Sequence, residues 1–160
     1  MRIGVVSDTH GHVQHAQQAA RLLESLQVDL LLHCGDIGSA DIPPIFARWP
    51  THYVFGNCDY DQAELATAIA AAGQTLHGLA GELDLAGARI AFLHGHDQKR
   101  MQQTIAAGRA ALVCYGHTHV AEQHLVGNTW VLNPGALYRA NPHTFAIVDL
   151  PQMTITSIAL

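Results

Sequence analysis

Five short segments carry side chains whose types and order could do metal chemistry: Asp8-Thr9-His10, Gly35-Asp36, Gly56-Asn57-Cys58-Asp59, His94-Gly95-His96 and Gly116-His117-Thr118-His119. Asp8, His10, Asp36, Asn57, His94, His117 and His119 supply carboxylate, amide and imidazole donors. A mixed oxygen and nitrogen set of this kind suits first-row divalent cations. Two Asp, one Asn and four His exceed what one tetrahedral ion needs and fit a site that holds two. Asp8 and His10 are two apart, so in an extended chain both reach the same side. Asp36 follows a glycine, which permits the tight turn that carries a carboxylate into a cleft, and a carboxylate can bridge two cations ~3.5–4 Å apart. Taken singly, each segment is also what an ordinary turn or helix cap carries.

Most of these segments sit just after an apolar run. Residues 2–7 and 29–34 read as buried strands, as do 52–55, 89–93 and 111–115. Donors at successive strand ends converge at one edge of a sheet, where open α/β folds place their sites. Between the early strands, residues 13–26 carry Val13, Ala16, Ala19, Ala20, Leu23 and Leu26 at helical spacing. Residues 39–48 read as a helix with Pro43 and Pro44 near its start, and 61–72 as an Ala-rich helix stopped by Gly73. This alternation predicts a parallel sheet with right-handed crossovers. After Gly73 the texture changes. Leu83-Asp84-Leu85, Gly87 and Arg89–Leu93 read as a hairpin, followed by a helix near 98–107. Residues 120–126, 129–132, 144–148 and 153–158 read as consecutive antiparallel strands whose hairpins complete a second sheet. The expectation is an α/β fold of two packed sheets with flanking helices.

The bulk numbers are consistent with one domain spanning 1–160. At 49% hydrophobic and 13% charged residues, nothing in the composition calls for disorder. Twelve His against eight Lys plus Arg tilt it towards metal ligation or acid–base chemistry. A net charge of −5 argues against broad binding to nucleic acid or to an anionic membrane. No apolar stretch is long enough to span a bilayer. Met1-Arg2-Ile3-Gly4 has no signal-peptide pattern, and Cys34, Cys58 and Cys114 make neither a disulfide framework nor a CxxC site. A cytoplasmic location is expected.

The order DxH, GD, GN, H, GHxH, followed by Asn133-Pro134-Gly135, resembles the calcineurin-like metallophosphoesterase superfamily, and the likeness runs over essentially the whole chain. It implies a four-layer αββα sandwich of two mixed sheets and two divalent metal positions. Asp8, His10 and His119 would hold the first, Asn57, His94 and His117 the second, and Asp36 would bridge them. Mn²⁺ is the favoured ion, with Fe, Co, Ni and Zn as alternatives. A metal-bridging hydroxide would attack phosphorus in line. The substrate expected is a small phosphate ester, a diester before a monoester. A second reading keeps the fold and the metal but makes the protein an interaction scaffold. Exposed apolar patches could also support a homodimer.

One position departs from the pattern. Many relatives read Gly-Asn-His where this chain reads Gly56-Asn57-Cys58. That histidine is the usual proton donor to the leaving oxygen, and a thiol with a reference pKa of ~8.5 replaces it poorly. His96, beside a ligand segment, is the candidate substitute. His12 is the best candidate for a substrate contact among the remaining histidines, and Tyr138 and Arg139 could meet an anionic substrate. His15 lies with His12 at the start of the first helix, and His52, His77, His124 and His143 carry no partner pattern.

Overall fold

The computed structural model describes residues 1–160. Two mixed sheets lie face to face with helices outside them, as expected. The first sheet contains β1 (Arg2–Val6), β2 (Leu30–His33), β3 (Thr51–Tyr53), β4 (Thr75–Leu76), β10 (Thr144–Asp149) and β11 (Thr154–Ala159), in the order β11-β10-β1-β2-β3-β4. The second contains β5 (Ala80–Leu85), β6 (Ala88–Leu93), β7 (Leu112–Cys114), β8 (Glu122–Val126) and β9 (Thr129–Asn133), in the order β5-β6-β7-β9-β8. The helices are α1 (Val13–Ser25), α2 (Ile42–Ile45), α3 (Gln62–Ala71) and α4 (Gln98–Ala106).

Strand periodicity divides the core into layers. Ile3 and Val5 of β1 face the second sheet, where they meet Ile90 and Phe92 of β6 and Leu112 and Cys114 of β7. Val6 faces the other way, into the layer under α1 with Ala16, Ala19 and Leu23. On the far side, Ala91, Leu93, Val113 and Tyr115 pack against Met101 and Ile105 of α4. All these strand residues are buried, so both faces of the central strands are covered, as parallel strands require.

Two expectations are corrected. The helix expected over 39–48 shrinks to Ile42–Ile45, because the adjacent prolines have no N–H for a longer ladder. The late strands do not all complete the second sheet. β8 and β9 do, with β9 running parallel to β7, but β10 and β11 join the first sheet, where β10 pairs antiparallel with β1. β10 is apolar on both faces: Phe145 and Ile147 lie under the helices, Ala146 and Val148 between the sheets. Such a strand gains most at a central position, beside β1. The two-residue β4 also extends the first sheet beyond the strands read from the sequence.

Candidate metal centre

Because β1, β2 and β3 are parallel neighbours, and β6 and β7 likewise, their C-terminal ends open at shared edges. The loops after them carry Asp8 and His10, Asp36, Asn57 and Cys58, His94, and His117 and His119. Backbone bonds lock the loops together. Asp8 N–H donates to Gly35 O at 3.0 Å, His10 N–H to Asp36 O at 2.9 Å and Gly11 N–H to Ile37 O at 2.8 Å. Asp59, which sequence reasoning passed over, accepts Gly38 N–H at 2.9 Å and Gly56 N–H at 2.7 Å through its buried carboxylate. Asn133 donates to Gly116 O and to Thr118 Oγ1, both at 2.9 Å, and so fixes the GHxH loop.

The donor atoms meet in a compact cluster. Asp8, His10 and His119 form one group of ligand atoms within 4.8 Å of one another, Asp8, Asp36 and His94 a second, and His10, Asp36 and Cys58 a third. Asn57 Oδ1 lies 3.1 Å from His94 Nε2. The His117 imidazole stands outside these groups, its ring centroid 5.2 Å from that of His94. Its backbone N–H donates to Asp8 Oδ2 at 3.1 Å. His96 is exposed, 5.5 Å from the His94 ring, and burial together with the neighbouring His94 and His117 lowers its pKa. Cys58 lies at the His10 and Asp36 side, and burial followed by Asp36 pushes its thiol pKa up, which keeps it protonated rather than nucleophilic.

Tautomers decide what the cluster can bind. His94 Nδ1 faces the Cys34 carbonyl at 2.8 Å, and a carbonyl only accepts, so Nδ1 carries the proton and neutral Nε2 is a lone pair. His119 Nδ1 likewise donates to Arg139 O at 3.1 Å. Its Nε2 lone pair then looks at Asp8 Oδ1, 3.1 Å away, and at His10 Nε2, 3.3 Å away. His94 Nε2 looks at Asp36 Oδ2 at 3.4 Å. With His94 and His119 neutral, their Nε2 lone pairs face carboxylate oxygens, and Asp8 Oδ1 is buried without a hydrogen-bond donor. A cation resolves this arrangement, and the carbonyls behind His94 and His119 act as the partners that orient metal-ligating imidazoles. Burial lowers the His94 pKa, but Asp36 and Asp8 outweigh it and raise it, so without a cation Nε2 takes a proton instead. Burial likewise works against the charge on Asp36, but protonated His94 and the Cys58 N–H outweigh it and hold the carboxyl well below its usual range. The site therefore keeps its bridging candidate ionised.

Backbone geometry concentrates at the same residues. Asp8, His10, Asp36, His117 and His119 all have positive φ, between 44° and 69°. Two glycines permit the close approach. A Cβ on Gly56 would sit 2.1 Å from Asp36 Oδ1, and one on Gly116 would sit 1.9 Å from Ser7 Oγ.

Behind the ligands, His33 Nε2 lies 3.0 Å from Thr9 Oγ1, whose own proton goes to Ile37 O at 3.0 Å. Complete burial lowers the His33 pKa to about 3, so it is neutral when folded. The unfolded chain binds its proton near pH 6.5, so this contribution to stability is full above that value and is lost as pH falls towards 3. His33→Gln should therefore show a flatter loss of thermal stability between pH 6.5 and 4 than the parent. The effect is at most on the order of 4 kcal/mol, read from melting curves at several pH values.

A two-sheet α/β sandwich with an acidic and histidine-lined cluster at its strand ends defines a metallophosphoesterase. Residues 1–153 match the calcineurin-like phosphoesterase superfamily domain, and the chain belongs to this metal-dependent family. It is 27% identical to a phosphodiesterase of Methanocaldococcus jannaschii, over 100% of this chain and 99% of that protein. It is 29% identical to YsnB of Bacillus subtilis, described as a probable metallophosphoesterase, over 86% of this chain and 75% of that one. The solved structure of an archaeal phosphodiesterase superposes with a TM-score of 0.92 at 26% identity, covering all of both chains. No helix is long and apolar enough to cross a membrane.

Proposed function

We propose that this chain is a dinuclear metal-dependent phosphohydrolase that prefers small phosphodiesters, works as one domain and acts in the cytoplasm. The observation that carries the reading is the buried, donorless Asp8 Oδ1 with the His119 Nε2 lone pair 3.1 Å away. Asp8, His10 and His119 would hold one cation, Asn57, His94 and His117 the other, with Asp36 shared. Two bound cations, with Mn²⁺ the first choice, lower the pKa of a shared water and neutralise phosphate charge for in-line displacement. The chain's own part is orientation. Cys34 O and Arg139 O fix which imidazole nitrogens face the centre, and the Cys58 N–H pins Asp36 Oδ1 at 2.7 Å.

Diester preference follows from leaving-group chemistry and is supported by the name of the archaeal relative. A protonated thiol at Cys58 is a weak hydrogen-bond donor. A general acid contributes typically ~10²–10⁴ in rate, most where the leaving group is poor. Cys58→His should therefore raise turnover of an alkyl phosphate monoester by about tenfold or more, and that of an activated nitrophenyl ester much less. Equal gains on both esters would argue against this role for position 58. If His96 is the proton donor, His96→Asn should remove the alkaline limb of the pH–rate profile; an unchanged profile removes the assignment.

The function itself is tested by metal content and by hydrolysis of bis(p-nitrophenyl) phosphate against p-nitrophenyl phosphate, with and without Mn²⁺. About two metals per chain with Mn²⁺-stimulated diester hydrolysis is the expected result. A metal-free protein that stays inactive after loading would overturn it.

A further inference from the structure

The ligands of the proposed centre are carried on loops, and one buried chain of hydrogen bonds joins two of those loops to a strand. Thr9 stands between Asp8 and His10, whose φ values are 54° and 44°. Its own side chain is fully buried. Thr9 Oγ1 donates to Ile37 O at 3.0 Å and lies 3.4 Å from Asp36 O, so it rests on the loop that carries Asp36. A hydroxyl has one proton to give. With that proton on the carbonyls, Oγ1 accepts from His33 Nε2, 3.0 Å away, and the His33 proton sits on Nε2.

His33 is the last residue of β2. It alternates with Leu32 and so shares the face of Leu31, in the layer under the helices. Its ring stacks on Tyr53 of β3, with centroids 5.2 Å apart and planes at 22°, and meets Phe46 edge-on at 6.4 Å. It is fully buried, and its Nδ1 has no hydrogen-bond partner. A buried imidazole satisfied on one side alone costs stability. A methionine or leucine would fill the same layer without an orphan atom. What the imidazole adds is one N–H, on a ring packed against Tyr53 and Phe46, aimed at the hydroxyl between two ligands.

We propose that His33 and Thr9 are positioning residues of the metal centre. The His33 N–H holds the Thr9 hydroxyl against Ile37 O, and this fixes Asp8 and His10 relative to Asp36, as a pair of cations with a shared carboxylate requires. The spacing so fixed puts His10 Nε2 3.7 Å from Asp36 Oδ2 and 3.8 Å from Asp8 Oδ1. Main-chain hydrogen bonds join the two loops to each other, and the Thr9 link ties both to a strand inside the core. Neither side chain is among the clustered ligand atoms, so both act through Asp8, His10 and Asp36. The inference rests on the dinuclear reading of the site and deepens it.

The test is Mn²⁺ titration of the metal-free protein, followed by calorimetry and by electron paramagnetic resonance, which separates a coupled pair of Mn²⁺ ions from isolated ones. Melting of each metal-free variant is measured alongside. The parent should bind two ions and give the coupled spectrum. Thr9→Val keeps the shape of the side chain and removes the hydroxyl. It should stay folded, bind Mn²⁺ about 10–100-fold more weakly, as loss of a partner behind the ligands does, and show isolated ions where the parent shows the pair. Thr9→Ser, which keeps the hydroxyl, should restore both readouts. His33→Gln can place an amide N–H on the same oxygen and should bind Mn²⁺ more tightly than His33→Met, which has no donor. Parent-like affinity and coupling in Thr9→Val overturns the proposal, as do equal losses in Thr9→Ser and Thr9→Val, or in His33→Gln and His33→Met. If Thr9→Val does not fold, the two His33 variants decide. A parent that binds a single ion removes the dinuclear reading, and the affinity for that ion across the same variants still decides the positioning role; a parent that binds none removes both.

Discussion

Asp36→Asn should leave a folded protein that has lost at least ~10² of its diester turnover, the usual cost of removing one charge-stabilising group from an active site. The substitution is close to isosteric. The Asn oxygen can still accept the Cys58 N–H, so the loop that Asp36 Oδ1 holds at 2.7 Å stays in place. What disappears is the negative charge facing His94 Nε2 at 3.4 Å and His10 Nε2 at 3.7 Å. A neutral amide cannot bridge two cations as a carboxylate does. Metal affinity should fall by more than the ~10–100-fold typical of an outer-shell partner. Metal content after dialysis and turnover of bis(p-nitrophenyl) phosphate check the two parts separately. Full metal content with full activity would remove Asp36 from the shared position.

Gly56→Ala should damage both stability and the site, although no reactive atom is removed. The added methyl would lie 2.1 Å from Asp36 Oδ1 and 2.4 Å from Asp36 N. Neither atom can yield easily, because the backbone beneath is tied to the loop after β1, where His10 N–H donates to Asp36 O. Overpacking of this kind costs ~1–3 kcal/mol. For a chain of this size that lowers Tm by roughly 2–12 °C. The displaced carboxylate should also weaken metal binding, so the fall in activity should exceed that expected from unfolding alone. Differential scanning calorimetry and metal analysis on the same sample make the comparison; an unchanged Tm would show that the loop is softer than its contacts indicate.

The donors of the site were legible because each follows an apolar strand and stands beside glycine or another turn residue. Asp8, His10, Asp36, Asn57, His94 and His119 do come together, as their placement at strand ends requires. His117 was grouped with them by motif, and its backbone joins Asp8 while its ring keeps to the His94 face. The orienting groups behind the ligands were hidden. Cys34 O and Arg139 O are backbone carbonyls, which every residue has, so no residue type announces them. The pairing of the His15 and His143 rings, 4.2 Å apart, was also invisible, because it depends on β10 crossing back to the first sheet. That crossing was itself misread: a run such as Thr144–Val148 shows that a strand is apolar on both faces, not which sheet covers it. Helix α2 failed for a local reason, since two prolines suit a first turn but supply no donors for the next.

Five of the proposed ligands sit in the left-handed region. For residues with a Cβ this conformation costs of the order of 1–2 kcal/mol each. At these positions folding and ligation therefore select for different residues. Glycine or asparagine would relax the empty chain, and only aspartate or histidine completes the centre. Drift towards local comfort would leave a more stable protein of the same shape with no chemistry. The same tension would make a bound ion a structural partner, because its binding free energy would oppose the recoil of the loops that hold it.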